Sequence, residues 1–134
     1  MAYTPYATVE DYEALGLETF DGIEEALRVA SRHIDTLTFN RIIGVGGIEY
    51  LTPFQQEIIK EVTCRQALFE YENDDAINSV LEGYSINGVT AKFGDGYGVQ
   101  VIGGIVIARS NYALLDQTGL TCRLARYIWR NIRD

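Results

Sequence analysis

From position 23 to position 37 apolar residues recur at intervals of three and four. Ile23, Ala26, Leu27, Ala30, Ile34 and Leu37 share one side of a helix but would scatter over both faces of a strand, so this spacing predicts an amphipathic helix of about 18 residues facing a core. Asp21-Gly22-Ile23-Glu24 reads as its start, with an acid three residues after a capping side chain. A second helix opens at Thr52-Pro53-Phe54-Gln55, where a hydroxyl N-cap, a proline at the first helical position and Gln at the third coincide. Phe54, Ile58, Val62, Leu68 and Phe69 supply its apolar face as far as about Glu72. Between the two helices NRIIGVGGIEYL, with Gly44, Gly46 and Gly47, reads as a connection. Ahead of them Thr8-Val9-Glu10-Asp11 marks a short helix that stops near Gly16.

Residues 85–107, SINGVTAKFGDGYGVQVIGGIVI, raise the question of a phosphate-binding loop. A dinucleotide fingerprint needs GxGxxG and a P-loop needs GxxxxGK followed by Ser or Thr, and neither pattern occurs. Instead Asn87-Gly88 and Gly103-Gly104 stand between β-branched and apolar flanks, as two-residue hairpin turns require. The expectation is a β-rich element that projects from the bundle, with Gly94, Asp95, Gly96, Tyr97 and Gly98 as a mobile tip. Residues 109–117 return to helix, with Tyr112, Leu114 and Leu115 inward and Gly119 at the stop. The ending, RLARYIWRNIRD, can be plotted as a helix with Leu124, Ala125, Ile128, Trp129 and Ile132 on one face and Arg123, Arg126, Arg130 and Arg133 in a cationic stripe. Its core partners apart, such a segment suits an acidic protein surface through Arg forks and the anchor residues Tyr127 and Trp129. The fold class expected is therefore mainly α: a small helical bundle with a β-hairpin region inserted at about residues 84–108, all within one domain of residues 1–134, whose residues 123–134 are either a docking tail or a closing helix packed on the bundle through Leu124, Ile128 and Ile132. Leu27, Ile34, Val62, Phe69 and Leu115 are expected to meet at its core.

The chain has 134 residues and a formal net charge of −8, which disfavours a freestanding nucleic-acid binder. The charge is uneven: residues 1–25 hold seven acids and no Lys or Arg, whereas the last twelve residues hold four arginines against Asp134. No run of apolar residues is long enough for a membrane span and the N-terminus has no signal-peptide pattern, so no membrane is expected and the cytoplasm is the site of assembly. Cys64 and Cys122 stand alone and read as idle thiols. The sole histidine, His33, lies mid-helix between Arg32 and Ile34 and reads as a surface or partly packed residue. No serine or cysteine has the setting of an activated nucleophile, and Glu70, Glu72, Asp74 and Asp75 read as a solvated helix end. Neither catalysis nor a cofactor or metal is expected. Nine tyrosines suit a protein held between other proteins.

Taken together, ATVEDYEALG, ALRVASRHIDTLTFNRI, QQEIIKEVTCRQALFEYE, YSINGVT and LLDQTGLTCRLAR resemble the small head-tail connector or adaptor proteins of tailed bacteriophages, in the family's order and over most of the chain. The more specific pieces are A-S-x-x-I-D-x-x-T in the first long helix and L-x-x-T-G-L near the end. The resemblance implies a virion protein at the head-tail interface: a ring of about twelve copies under the portal protein, extending the DNA channel and meeting the next connector or tail component. It also implies that residues 123–134 engage the portal, and that DNA passes through without specific binding, past a lumen that is not continuously basic. On this reading the tip from Gly94 to Gly98 contacts a neighbour or the channel, and Asp95 is a candidate for that lumen. The residues taken without the resemblance also allow a non-catalytic binding or regulatory protein that uses its Arg-rich C-terminus on a protein or nucleic-acid partner.

Overall fold

The computed structural model describes residues 3–82 (of Val80 the backbone only) and 98–122. The elements in order are α1 (Val9–Ala14), α2 (Ile23–Leu37), α3 (Arg41–Gly44), a 3-10 turn (Ile48–Tyr50), α4 (Pro53–Glu72), α5 (Asp74–Leu81), β1 (Val99–Ile102), β2 (Ile105–Ala108) and α6 (Arg109–Asp116). The architecture is a mainly helical bundle with one small antiparallel hairpin set into it.

Local chemistry sets the helix starts. Thr8 Oγ1 accepts from the Asp11 N–H (3.1 Å) while Asp11 accepts from the Thr8 N–H (2.9 Å), a reciprocal cap that satisfies donors the first turn leaves open. Thr52 and Gln55 repeat it at α4, with Pro53 at the first helical position. At α2 the expected Asp21 cap does not form. The N-cap is Gly22, at φ +82°, without a side-chain bond. A left-handed turn is available to glycine at no steric cost, so the backbone itself makes the entry one residue later than the acid.

Helix α4 is the centre of the molecule, with contacts to α1, α2, α5, α6 and β2. The first half of α2 packs on the second half of α4 through Leu27, Ala30, Cys64 and Ala67, joined by Tyr12 of α1. The second half of α2 packs on the first half of α4 through Ile34, Leu37, Ile58, Ile59 and Val62, so the two helices run antiparallel. Leu115 and Leu120 close this main cluster from the other side. All five expected core residues are buried. They do not meet at one point, however: Ile34, Val62 and Leu115 share the main cluster, Leu27 belongs to the α1 side, and Phe69 packs with Ala76, Val99, Val106 and Ala108. Phe54 departs from expectation and is exposed: the residue of the first turn that faces inward is Gln55, between Leu51 and Ile58 of the main cluster.

The hairpin follows its sequence closely. Val99 pairs with Ala108 and Ile102 with Ile105, and the turn residues Gly103 and Gly104 have φ of +59° and +81°, the two positive angles of a tight primed turn. It does not project. Every residue of β2 is buried, Ile105 and Ile107 in the main cluster and Val106 and Ala108 against Phe69. Four apolar residues in succession are what a strand covered on both faces requires. The Asn87-Gly88 turn lies outside the described residues. The connection between α2 and α4 contains more order than its glycines suggest, with α3 and the 3-10 turn folded within it.

Candidate interaction surface

The two sequence segments that carry the strongest partner chemistry fall largely outside the described residues: Gly94, Asp95, Gly96 and Tyr97 in one, and Arg123, Arg126, Tyr127, Trp129, Arg130 and Arg133 in the other. Gly98 is described. It forms the foot of the hairpin, with its carbonyl accepting from the Arg109 N–H at 2.8 Å and the Arg109 side chain 3.0 Å from where a Cβ would stand.

What the structure does define is the root of the C-terminal segment. After α6 the chain turns through Gly119, at φ +77°, and is held from three directions. Arg41 donates to the Leu120 carbonyl (2.8 Å), the Gln55 amide donates to the Thr118 carbonyl (3.0 Å), and the Thr121 hydroxyl donates to the Asp116 carboxylate. Thr118 Oγ1 donates to the Leu115 carbonyl and accepts from the Leu120 N–H, which tightens the turn. Leu120 is fully buried. Residues 118–122 are therefore fastened to α3 and to the first turn of α4, and the chain leaves the described structure at that end of the bundle.

The same end carries most of the exposed large apolar side chains among the described residues. Phe39 is 52% exposed, Ile43 50%, Tyr50 67% and Phe54 53%. All four lie in the connection between antiparallel α2 and α4 or in the first turn of α4. Phe39 and Asn40 both have φ of +58°, a left-handed pair without glycine. That conformation costs about 1–2 kcal/mol per residue, and an aromatic residue rarely adopts it. The Arg41 guanidinium, 4.8 Å from the Phe39 ring centroid, links this turn to the root of the C-terminal segment. Periodicity could not have found the patch, since it is made of a connection and a helix's first turn.

The other end of the chain is fastened as well. The N-terminal residues lie along α2, where the buried Asp35 carboxylate accepts from the hydroxyls of Tyr3 (2.7 Å) and Tyr6. Ser31 accepts from the Tyr6 N–H at 3.0 Å, and Arg32 stacks over the Tyr3 ring at 3.7 Å. Burial and the adjoining Asp35 carboxylate push both tyrosine hydroxyls above their ordinary range. The A-S-x-x-I-D-x-x-T pattern is thereby explained. Ala30, Ser31, Ile34, Asp35 and Thr38 form one buried face, which pairs with the N-terminal strap and with the core.

His33 Nδ1 lies 2.5 Å from Glu70 Oε2, which also accepts from the Gln66 amide at 2.8 Å; the same amide reaches the Val106 carbonyl at 3.0 Å. This chain of contacts joins α2, α4 and β2. Burial pushes the Cys64 thiol up to about 12, so it carries no thiolate at neutral pH. Glu72, Asp74 and Asp75 rim a shallow depression with Asn73 and Ser79, and among the described residues no group of three or more His, Cys, Asp or Glu is placed to hold a metal. No helix among the described residues is long and apolar enough to cross a membrane. No family model, curated protein or solved structure matches this chain.

Proposed function

We propose that the chain is a head-tail connector of a tailed bacteriophage, a non-catalytic virion protein that forms a ring under the portal, extends the DNA channel and joins the head to the next connector or tail component. One observation supports this reading most. The bundle fastens its C-terminal chain at Thr118, Leu120 and Thr121, and so presents the Arg-rich residues 123–134 from a fixed point beside exposed aromatic side chains. A tail rooted in this way is a docking element whose start has a set position on the subunit, which lowers the ordering cost of binding. Its four arginines suit carboxylates on an acidic partner, since exposed internal ion pairs give only about 0–1 kcal/mol each. The helical bundle with one small hairpin set into it is the fold class that the sequence pattern led to expect.

Size-exclusion chromatography with light scattering tests the proposal, on the chain alone and mixed with the matching portal protein. The expected result is a ring, or a complex with the portal, that is lost on deletion of residues 123–134 and weakened by Arg126→Glu with Arg130→Glu. A monomer that ignores the portal and binds DNA tightly would overturn it in favour of a regulatory protein acting through its basic end.

A further inference from the structure

The exposed end of the bundle has a shape and a charge that its own chain can satisfy. Phe39, Ile43, Tyr50 and Phe54 are each about half exposed or more, and the Phe39 backbone is held in a left-handed conformation that keeps its ring at the surface. Strain retained at an exposed aromatic residue points to a use for that residue. From residue 39 to residue 57 the exposed charges are Glu49 and Glu57, and the single base, Arg41, is buried. Neither glutamate has a salt-bridge partner among the described residues.

The chain passes this patch on its way out. Arg41 touches both the Phe39 ring and the Leu120 carbonyl, and Gln55, next to Phe54, holds Thr118. Twelve residues follow Cys122, with Leu124, Ile128, Trp129 and Ile132 among four arginines. Even a small part of their reach, about 40 Å when extended, covers the distance from the exit to the patch. Apolar residues would meet the aromatic surface and arginines would meet Glu49 and Glu57.

We infer that in the free subunit residues 123–134 dock in cis on the apolar end formed by Phe39, Ile43, Tyr50 and Phe54. The tail then covers its own binding residues until a partner displaces it, so the docking element is withheld from solution before assembly. This inference goes beyond the connector reading and needs no portal for its test, so the two can fail separately.

Trp129 is the only tryptophan in the chain and reports the contact directly. In the isolated protein its emission is expected to lie to the blue of the denatured chain and to be shielded from acrylamide. Ile43→Glu or Phe54→Glu, both at exposed positions, should shift the emission to the red and remove the shielding while far-UV circular dichroism stays unchanged. The shielding should survive a roughly hundredfold dilution, because a contact within one chain does not follow mass action. As a second measurement, a chain ending at Cys122 should bind the apolar dye ANS more strongly than the full chain, and the two glutamate substitutions should abolish the difference. Trp129 emission equal to that of the denatured chain, indifference to both substitutions, equal dye binding by full and shortened chains, or shielding lost on dilution, as for the tail of a second copy, would each overturn the inference.

Discussion

At Phe69 the packing is specific enough to give a stability. The ring is buried between Ala76 and the hairpin residues Val99, Val106 and Ala108, so Phe69→Ala opens a cavity that small neighbours cannot collapse to fill. The expected loss is about 3–5 kcal/mol, measured by urea denaturation. Asp35 gives a second single-residue prediction. Its buried carboxylate takes two tyrosine hydroxyls, and Tyr6→Phe removes one charge-assisted bond, at a cost of about 1.5–3 kcal/mol near neutral pH. The pH dependence has a definite sign. Both hydroxyls are raised above the ordinary value of 10.0 in the folded protein, so their contribution is complete below pH 10 and is lost as pH rises beyond it. Thermal melts at rising alkaline pH should show the wild type losing stability more steeply than Tyr6→Phe. Phe69 was legible as a core residue from its helical spacing, but the tyrosine contacts of Asp35 were not. Tyr6 and Tyr3 stand 29 and 32 positions from Asp35, and no local pattern marks a carboxylate that will be buried by a strap so far away.

Among the elements, those with local causes were legible and those that depend on a neighbour were not. The caps at Thr8 and Thr52 and the Gly103-Gly104 turn need only residues within three positions of each other, and each forms as its sequence directs. The burial of β2 on both faces depends on Phe69 on one side and the main cluster on the other. Alternation cannot reveal it, although the unbroken apolar run IVIA was a visible sign. Phe54 misleads for the opposite reason: its spacing matches the helix stripe, but in the first turn of α4 the inward residue is Gln55, which reaches the Thr118 carbonyl, and Phe54 is left exposed. The C-terminal root was partly legible, as Gly119 marked a stop, whereas the grip of Arg41 and Gln55 on it spans 79 and 63 positions. The turn offers a prediction at this scale. Gly104→Val forces a β-branched residue to φ +81° and should cost at least about 1–2 kcal/mol. Gly103→Asn, by contrast, places at φ +59° the residue that such turns favour, and its thermal midpoint should stay near that of the wild type.

Over the whole molecule, the main core joins residues from distant parts of the chain. Ile34, Ile59 and Val62 pack with Ile105, Ile107, Leu115 and Leu120, and the polar ties run the same way, from Gln66 to the Val106 carbonyl and from Arg41 to the Leu120 carbonyl. A fragment ending at residue 82 keeps α1 to α5 but loses every partner supplied by β2 and α6. It should show helical circular dichroism without a cooperative melt, and addition of residues 98–122 in the same chain should restore the transition. The length of these connections also sets an order of events during translation. Until β2 and α6 follow it out of the ribosome, α4 stands with Ile59, Val62 and Phe69 uncovered on the side that those elements later close. The nascent chain thus carries a sticky helix for a time, and its yield in a cell rests on how quickly β2 and α6 arrive to cover it.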